Sequence, residues 1–310
     1  MSNPTRDRTW LVAISAALWG TDALLRKPLA DALPAATVVF WEHAMTLVVL
    51  LPWLPTAWRA FRRLGAREIV AVVVIGVGAS AVATALFTQA FAIGDPVTPL
   101  VLQKFQPLFA IVAARFLLGE RMRAGYLWFA VPALAGAWLL TFPDPLRVSV
   151  TAAWSALLAL GAAALWAAGT VLGRLAGTRL TPHQLTVLRY VFGLLGATAI
   201  VAVSGAPLTI HGGDIVGLVL LALIPGLLAL SLYYVGLRST PAARATLAEL
   251  AFPATAAVIG VTVFGDSLSV SQWTGLVIVV AAVTGLGWHE RRTPSPVVAT
   301  PELATAGRPQ

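Results

Sequence analysis

Residues 97–118 read VTPLVLQKFQPLFAIVAARFLL, and their centre, Gln103-Lys104-Phe105-Gln106-Pro107, sets an ammonium, two amides and a proline inside a largely apolar run. A helix of this length crosses a hydrocarbon core of about 30 Å. A charge at the middle of such a helix costs about 2.5–3.5 kcal/mol on insertion scales, so it turns toward a partner or a water-filled cavity rather than toward lipid. Lys104 therefore points inward, and the remaining chain must supply what it points at.

Runs of the same kind recur from end to end. The chain is 58% hydrophobic and 11% charged, with a mean hydropathy of +0.84, which excludes an ordinary soluble globular protein. In that setting the net charge of +8 reflects where basic residues sit relative to the bilayer, not a nucleic-acid footprint. The absence of cysteine excludes disulfides, thiolate catalysis and cysteine-held metals. Candidate spans fall at about 10–28, 34–57, 68–93, 97–118, 124–142, 152–175, 182–204, 214–236, 241–264 and 271–289, giving an all-α integral membrane protein with ten transmembrane helices. Pro34, Pro182 and Pro241 stand where helix starts tolerate proline. Asp22, Arg26 and Lys27 interrupt the first run, which is therefore read as a retained span and not as a cleaved signal.

Arginines orient the bundle. Arg6, Arg8, Arg59, Arg62, Arg63, Arg67, Arg121, Arg123, Arg174, Arg179, Arg238, Arg291 and Arg292 fall on one side if both termini are cytoplasmic, while Arg26, Lys27 and Arg147 fall on the other. The expectation is a multi-pass protein of a bacterial cytoplasmic (inner) membrane, with a disordered cytoplasmic tail over 291–310.

The two halves also match each other. Ala17-Leu18-Trp19 corresponds to Ala164-Leu165-Trp166 at an offset of 147 residues, and Pro107 and Gly119-Glu120 correspond to Pro253 and Gly265-Asp266 at 146. Each half holds an odd number of spans, so the second enters the membrane upside down relative to the first. The expected domains are thus a five-helix repeat over 1–147 and an inverted one over 148–290, a plan that places a binding site near the midplane.

Five ionisable residues lie well inside spans: Asp22, Glu42, Lys104, Arg189 and Glu249. Glu42 aligns with Arg189, and Gln103, beside Lys104, aligns with Glu249, so the halves carry opposite polarity at the same helical positions. This predicts a Glu42–Lys104 pair and an Arg189–Glu249 pair, with Asp22 left as a surplus carboxylate able to carry a proton. The alternative is a static network that fixes helix packing. Pro107 and Pro253 each free the carbonyl four residues earlier, at Gln103 and Glu249. Trp19, Asp22 and Arg26 share one helix face, His43 adjoins Glu42, and Gln106 and Tyr190 stand near Lys104 and Arg189. Such a lining suits a small amphipathic solute with charged ends and an apolar or aromatic body. Small residues in the fifth and tenth spans, Gly136 and Gly275 among them, read as helix packing or a dimer face, compatible with a monomer or a homodimer. No phosphate loop, paired metal-binding histidines, aspartate-rich prenyl-transfer motif or membrane-protease serine is visible, so neither an enzyme, a metal nor a cofactor is expected.

The strings Leu18-Trp19-Gly20 and Ala164-Leu165-Trp166, with Gln106-Pro107-Leu108-Phe109, Leu118-Gly119-Glu120-Arg121, Phe252-Pro253 and Phe264-Gly265-Asp266, resemble the ten-span EamA-like branch of the drug/metabolite transporter superfamily. The resemblance runs from about Trp10 to Trp288. It implies a central cavity walled by spans 1–4 and 6–9 and working by alternating access. The chain departs from the commonest family pattern at Glu42, where many relatives carry arginine. Together these observations predict a secondary active transporter of a small polar or zwitterionic, amino-acid-like metabolite, working as an exporter, with protons as the candidate coupling ion. An importer of a cationic or nucleoside-like solute and a non-transporting membrane scaffold are the competing readings.

Overall fold

The computed structural model describes residues 8–94, 97–106, 109, 112–113, 116, 125, 127–141, 144, 150–237, 248, 251–263 and 269–292. Among these residues the chain is all helix, without a strand, and five stretches are long and apolar enough to cross a membrane: 35–61, 66–93, 153–173, 182–204 and 212–236. Pro107, Pro241 and Glu249 lie outside the described residues, as does the tail beyond 292, and Lys104 is described through its backbone only.

The first apolar run forms two helices, α1 (Thr9–Gly20) and α2 (Asp22–Ala32), joined at Thr21. The Thr21 amide and hydroxyl both donate to Leu18 O, at 3.1 and 2.7 Å, tightening the last turn of α1 before α2 restarts. Helix α3 (Ala35–Leu50) starts at Pro34 and runs through a 3₁₀ turn, Leu51–Trp53, into α4 (Leu54–Phe61). Pro52 and Pro55 each sit in the first turn of the next segment, where a missing N–H is not called upon, so the rod continues to Phe61, past the expected end near 57.

Helices α5 (Ala66–Val74) and α6 (Ala83–Ile93) are joined by a π-helical segment, Ile75–Val82. After α7 (Val97–Leu102), its 3₁₀ extension Gln103–Phe105, α8 (Leu127–Thr141), α9 (Val150–Ala176) and α10 (Pro182–Ser204), the same device returns. Helices α11 (Gly212–Leu221) and α12 (Ala229–Leu237) are joined by a π-helical segment, Ala222–Leu228. The two π segments start at Ile75 and Ala222, 147 residues apart, the offset that relates Trp19 to Trp166. Glycine and alanine in IGVGASAV, and Pro225 in ALIPGLL, weaken the ordinary ladder and let a wider turn form. Helices α13 (Ala251–Thr262) and α14 (Val270–Arg292) complete the described chain.

Several helix starts are written locally. Thr181 Oγ1 accepts from Gln184 N, Gln184 Oε1 accepts from Thr181 N at 2.9 Å, and Pro182 follows, so α10 opens on a capping box. It closes on Gly205 in the left-handed region, φ 66°. Ser269 and Gln272 form the same box at the start of α14.

Packing interleaves the two halves. Helix α1 lies against α12 and α13, α10 against α3 and the first π segment, and α9 against α6 and α7. Helices α8 and α14 pack on each other, with Gly136 so close to Gly275 O that an added Cβ would come within 2.8 Å. The exposed Trp10, Trp53, Trp58, Trp128 and Trp154 lie near helix ends, as interfacial anchors do.

Candidate functional site

A cavity of about 320 Å³ lies where α1, α2, α3, the first π segment, α9, α10 and the second π segment converge. Trp19, Asp22, Glu42, His43, Gln103, Gln106, Arg189 and Tyr190 all line it. Of the remaining sequence candidates, the Lys104 side chain and Glu249 lie outside the described residues.

Arg26, counted from sequence with the loop charges, is the most heavily bonded side chain of the site and only 3% exposed. Its Nε donates to Asp22 Oδ2 at 2.7 Å and its Nη2 to Asp22 Oδ1 at 2.9 Å. Nη1 reaches Glu42 Oε2 at 3.1 Å and Thr88 Oγ1 at 2.8 Å, and Nη2 reaches Glu42 Oε1 at 3.3 Å. All five guanidinium N–H groups are thereby used, and the Phe87 ring stacks 5.8 Å away. Asp22, expected to stand without a partner, is thus paired, through an i,i+4 contact that exists because α2 resumes directly after Thr21, although two carboxylates share the one guanidinium. Both Glu42 oxygens accept from Arg26, while the expected Glu42–Lys104 pair falls on a side chain outside the described residues.

Arg189 stands differently. Its Nε donates to Ser80 Oγ at 3.2 Å, Nη2 to Ala79 O at 3.1 Å and Nη1 to Tyr234 Oη at 3.5 Å. Every one of those acceptors is neutral. Among the described residues Arg189 has no carboxylate partner, and its unused N–H groups border the cavity. Ser80 passes the contact on: its Oγ lies 2.9 Å from His43 Nε2, while His43 Nδ1 donates to Val39 O at 2.8 Å. With Arg189 donating to Ser80, the hydroxyl proton is available to His43 Nε2, and a neutral imidazole satisfies the whole chain. His43 fits because Gly193 faces it; a Cβ there would lie 2.5 Å from His43 Cδ2.

Side chains from elsewhere in the bundle donate to carbonyls of both π segments. Trp19 Nε1 donates to Pro225 O at 3.0 Å, the Thr46 hydroxyl is shared between Glu42 O and Ala222 O, and Arg189 takes Ala79 O. Aromatic rings form much of the wall: Trp19 against Tyr233 at 5.0 Å, Phe87 against Trp166 at 5.0 Å, and Tyr190 beside His43 at 5.4 Å. Gln103 Oε1 is buried with no hydrogen-bond partner among the described residues. Among the described residues the site thus offers a cation without a carboxylate partner, a buried acceptor, an acidic ion cluster and flat apolar surface. Ser80, Tyr233 and Tyr234 escaped the sequence reading, because hydroxyls within apolar runs carry no charge to mark them. The i,i+4 spacing that puts Asp22 and Arg26 on one helix face is the sequence signal for their pair. Among the described residues no cluster of His, Cys, Asp and Glu could hold a metal ion.

Comparison with known proteins bears on this arrangement. The EamA-like transporter family matches the chain over residues 9–142 and again over 153–288. The Riboflavin transporter ImpX of Fusobacterium nucleatum subsp. nucleatum is 30% identical over 285 residues, 88% of this chain and 95% of that protein. The uncharacterized transporter YwfM of Bacillus subtilis is 28% identical over 174 residues, 56% of this chain and 58% of that one. A solved crystal structure 19% identical in sequence superposes with a TM-score of 0.68, covering 93% of this chain and 99% of its own, which establishes likeness of fold.

Proposed function

The chain belongs to the EamA-like transporter family, and from that premise we propose a carrier for a small, flat aromatic metabolite that presents hydrogen-bond acceptors and donors along one edge. Ten spans in two inverted five-helix repeats would carry the solute across a bacterial inner membrane by alternating access, with both termini cytoplasmic. The π segments 147 residues apart and the twofold family match support the repeat. The observation that carries the substrate reading is Arg189: a cation bordering the cavity, braced by neutral groups and without a carboxylate partner among the described residues. A solute bringing two acceptor atoms to that edge takes the place of the counter-ion. Gln103 Oε1 is positioned for a solute N–H, and Trp19, Trp166 and Tyr233 for the ring. A cavity of about 320 Å³ is within the range of small-molecule sites.

Riboflavin has this chemistry, a fused aromatic system whose edge alternates carbonyls with an N–H, and the relative ImpX is named for it. A zwitterionic aromatic amino acid is the second reading, favoured by the two carboxylates that share one guanidinium in the Asp22–Arg26–Glu42 cluster and would attract an ammonium group.

Purified protein in proteoliposomes, assayed for flux of labelled riboflavin and of aromatic amino acids in both directions, with and without a pH gradient, separates these readings. Saturable riboflavin flux that amino acids do not inhibit supports the first. Amino-acid flux insensitive to riboflavin supports the second, and folded protein inert to every solute points to a scaffold. Flux in one direction only, and its response to the gradient, report export or import and proton coupling.

A further inference from the structure

The two ends of the cavity are built unequally. At one end the Asp22–Arg26–Glu42–Thr88 cluster forms a bonded layer, and beyond it Leu29, Leu33, Val38, Leu218 and Leu221 form a buried apolar layer joining α2, α3 and α11. The cavity lining stops at Arg26 and includes none of those five apolar residues. At the other end the lining continues past Gly173 to Gly177, Leu180 and Pro182, and Gly177, Thr178 and Arg179 are exposed.

The 147-residue offset shows why. Glu42 corresponds to Arg189, but Asp22 and Arg26 correspond to Gly169 and Gly173, and Leu29 and Leu218 to Ala176 and Ala71. Gly169 is close-packed, since a Cβ there would lie 2.4 Å from Ala79 Cβ. Gly173 is not: its nearest neighbour would be Leu185 Cδ2 at 4.0 Å, so space remains in the cavity where Arg26 stands in the other half. Among the described residues Arg189 is thus left without a charged partner at the position that corresponds to Arg26.

We propose that the protein closes one end of its cavity with its own Arg26 ion cluster and leaves the other to be closed by the solute, whose acceptor group fills the space at Gly173 and completes the missing pair on Arg189. This rests on the carrier reading above and adds a coupling rule to it. The Gly173 end shuts only when Arg189 is matched, and the Arg26 end opens only when its cluster separates. An unmatched cation cannot be buried cheaply, so an empty carrier keeps the Gly173 end open. Each ligand shifts the two-state equilibrium only by what it adds to one state.

The natural absence of cysteine makes the test direct. Leu29→Cys reports on the Arg26 end and Leu180→Cys on the Gly173 end, each read as the rate of labelling by a membrane-impermeant maleimide. Arg26→Gln is expected to raise Leu29→Cys labelling several-fold. Gly173→Asp, which adds a carboxylate to the cavity wall that Arg189 also lines, is expected to slow Leu180→Cys labelling several-fold without any solute; Gly173→Asn, of equal size and no charge, is not, and Arg189→Gln is expected to abolish the Asp effect. Unchanged labelling in both charge variants overturns the proposal, as does equal protection by Asp and Asn. If Arg26→Gln does not purify as folded protein, the Gly173 comparison decides alone. Riboflavin added to the Leu180→Cys protein is expected to protect it. If it does not while Gly173→Asp does, the gate stands and the riboflavin reading falls.

Discussion

Arg26 grips Asp22, one helical turn before it, through two parallel hydrogen bonds, Nε to Oδ2 at 2.7 Å and Nη2 to Oδ1 at 2.9 Å. The fork matches both carboxylate oxygens while its remaining N–H groups hold Glu42 and Thr88 on two other helices. Lysine has neither the planarity nor the donor count for this. Arg26→Ala leaves two buried carboxylates unmatched and is expected to cost about 3–5 kcal/mol, read as a large drop in melting temperature in detergent. Arg26→Lys is expected to fall between Ala and the natural residue.

Gly193 carries a packing prediction. The α10 backbone approaches His43 so closely that a Cβ would meet the ring at 2.5 Å, with no flexible side-chain end to yield. Gly193→Ala is expected to destabilise by about 1–3 kcal/mol and to loosen the His43–Ser80 contact. A melting curve indistinguishable from the natural protein's would contradict the close approach.

Trp19 separates a role in the site from a role in packing. Its Nε1 holds Pro225 O in the second π segment at 3.0 Å, and its ring faces Tyr233. Trp19→Phe keeps most of the apolar surface but frees that carbonyl. A stability loss of about 0.5–1.5 kcal/mol is expected, the net worth of one hydrogen bond, together with a rise in the apparent KM for transport.

The α8–α14 contact supplies a control away from the cavity. Gly136→Leu would drive a side chain against Gly275 O and Ile278. It is expected to lower stability, while the affinity of whatever protein remains folded stays as it was, measured by ligand titration after removal of aggregate.

The long apolar helices were legible because bilayer-length apolar runs and capping signals are written locally: Thr181-Pro182-His183-Gln184 announces the start of α10 within four residues. Asp22, Glu42 and Arg189 announced themselves as charges where lipid tolerates none. Partner choice was not legible. The i,i+4 spacing marks Asp22 and Arg26 as neighbours, but nothing in the sequence marks Glu42 and Thr88, on two other helices, as partners of the remaining Arg26 N–H groups. The π segments were equally silent, because runs such as IGVGASAV have a periodicity no different from an α-helix of small residues. Ser80, placed on such a segment, became visible only once the wider turn had brought it between Arg189 and His43.

The central claim is that Arg189, held by neutral neighbours, anchors the transported solute. Calorimetric titration of riboflavin into the natural protein and into Arg189→Gln, in the same detergent, tests it most directly. The account predicts one saturable site, weakened about tenfold or more in the variant, the cost of losing a charge-assisted bond, with little change in melting temperature because no buried carboxylate is orphaned among the described residues. Equal affinity in the two proteins, both folded, would contradict it.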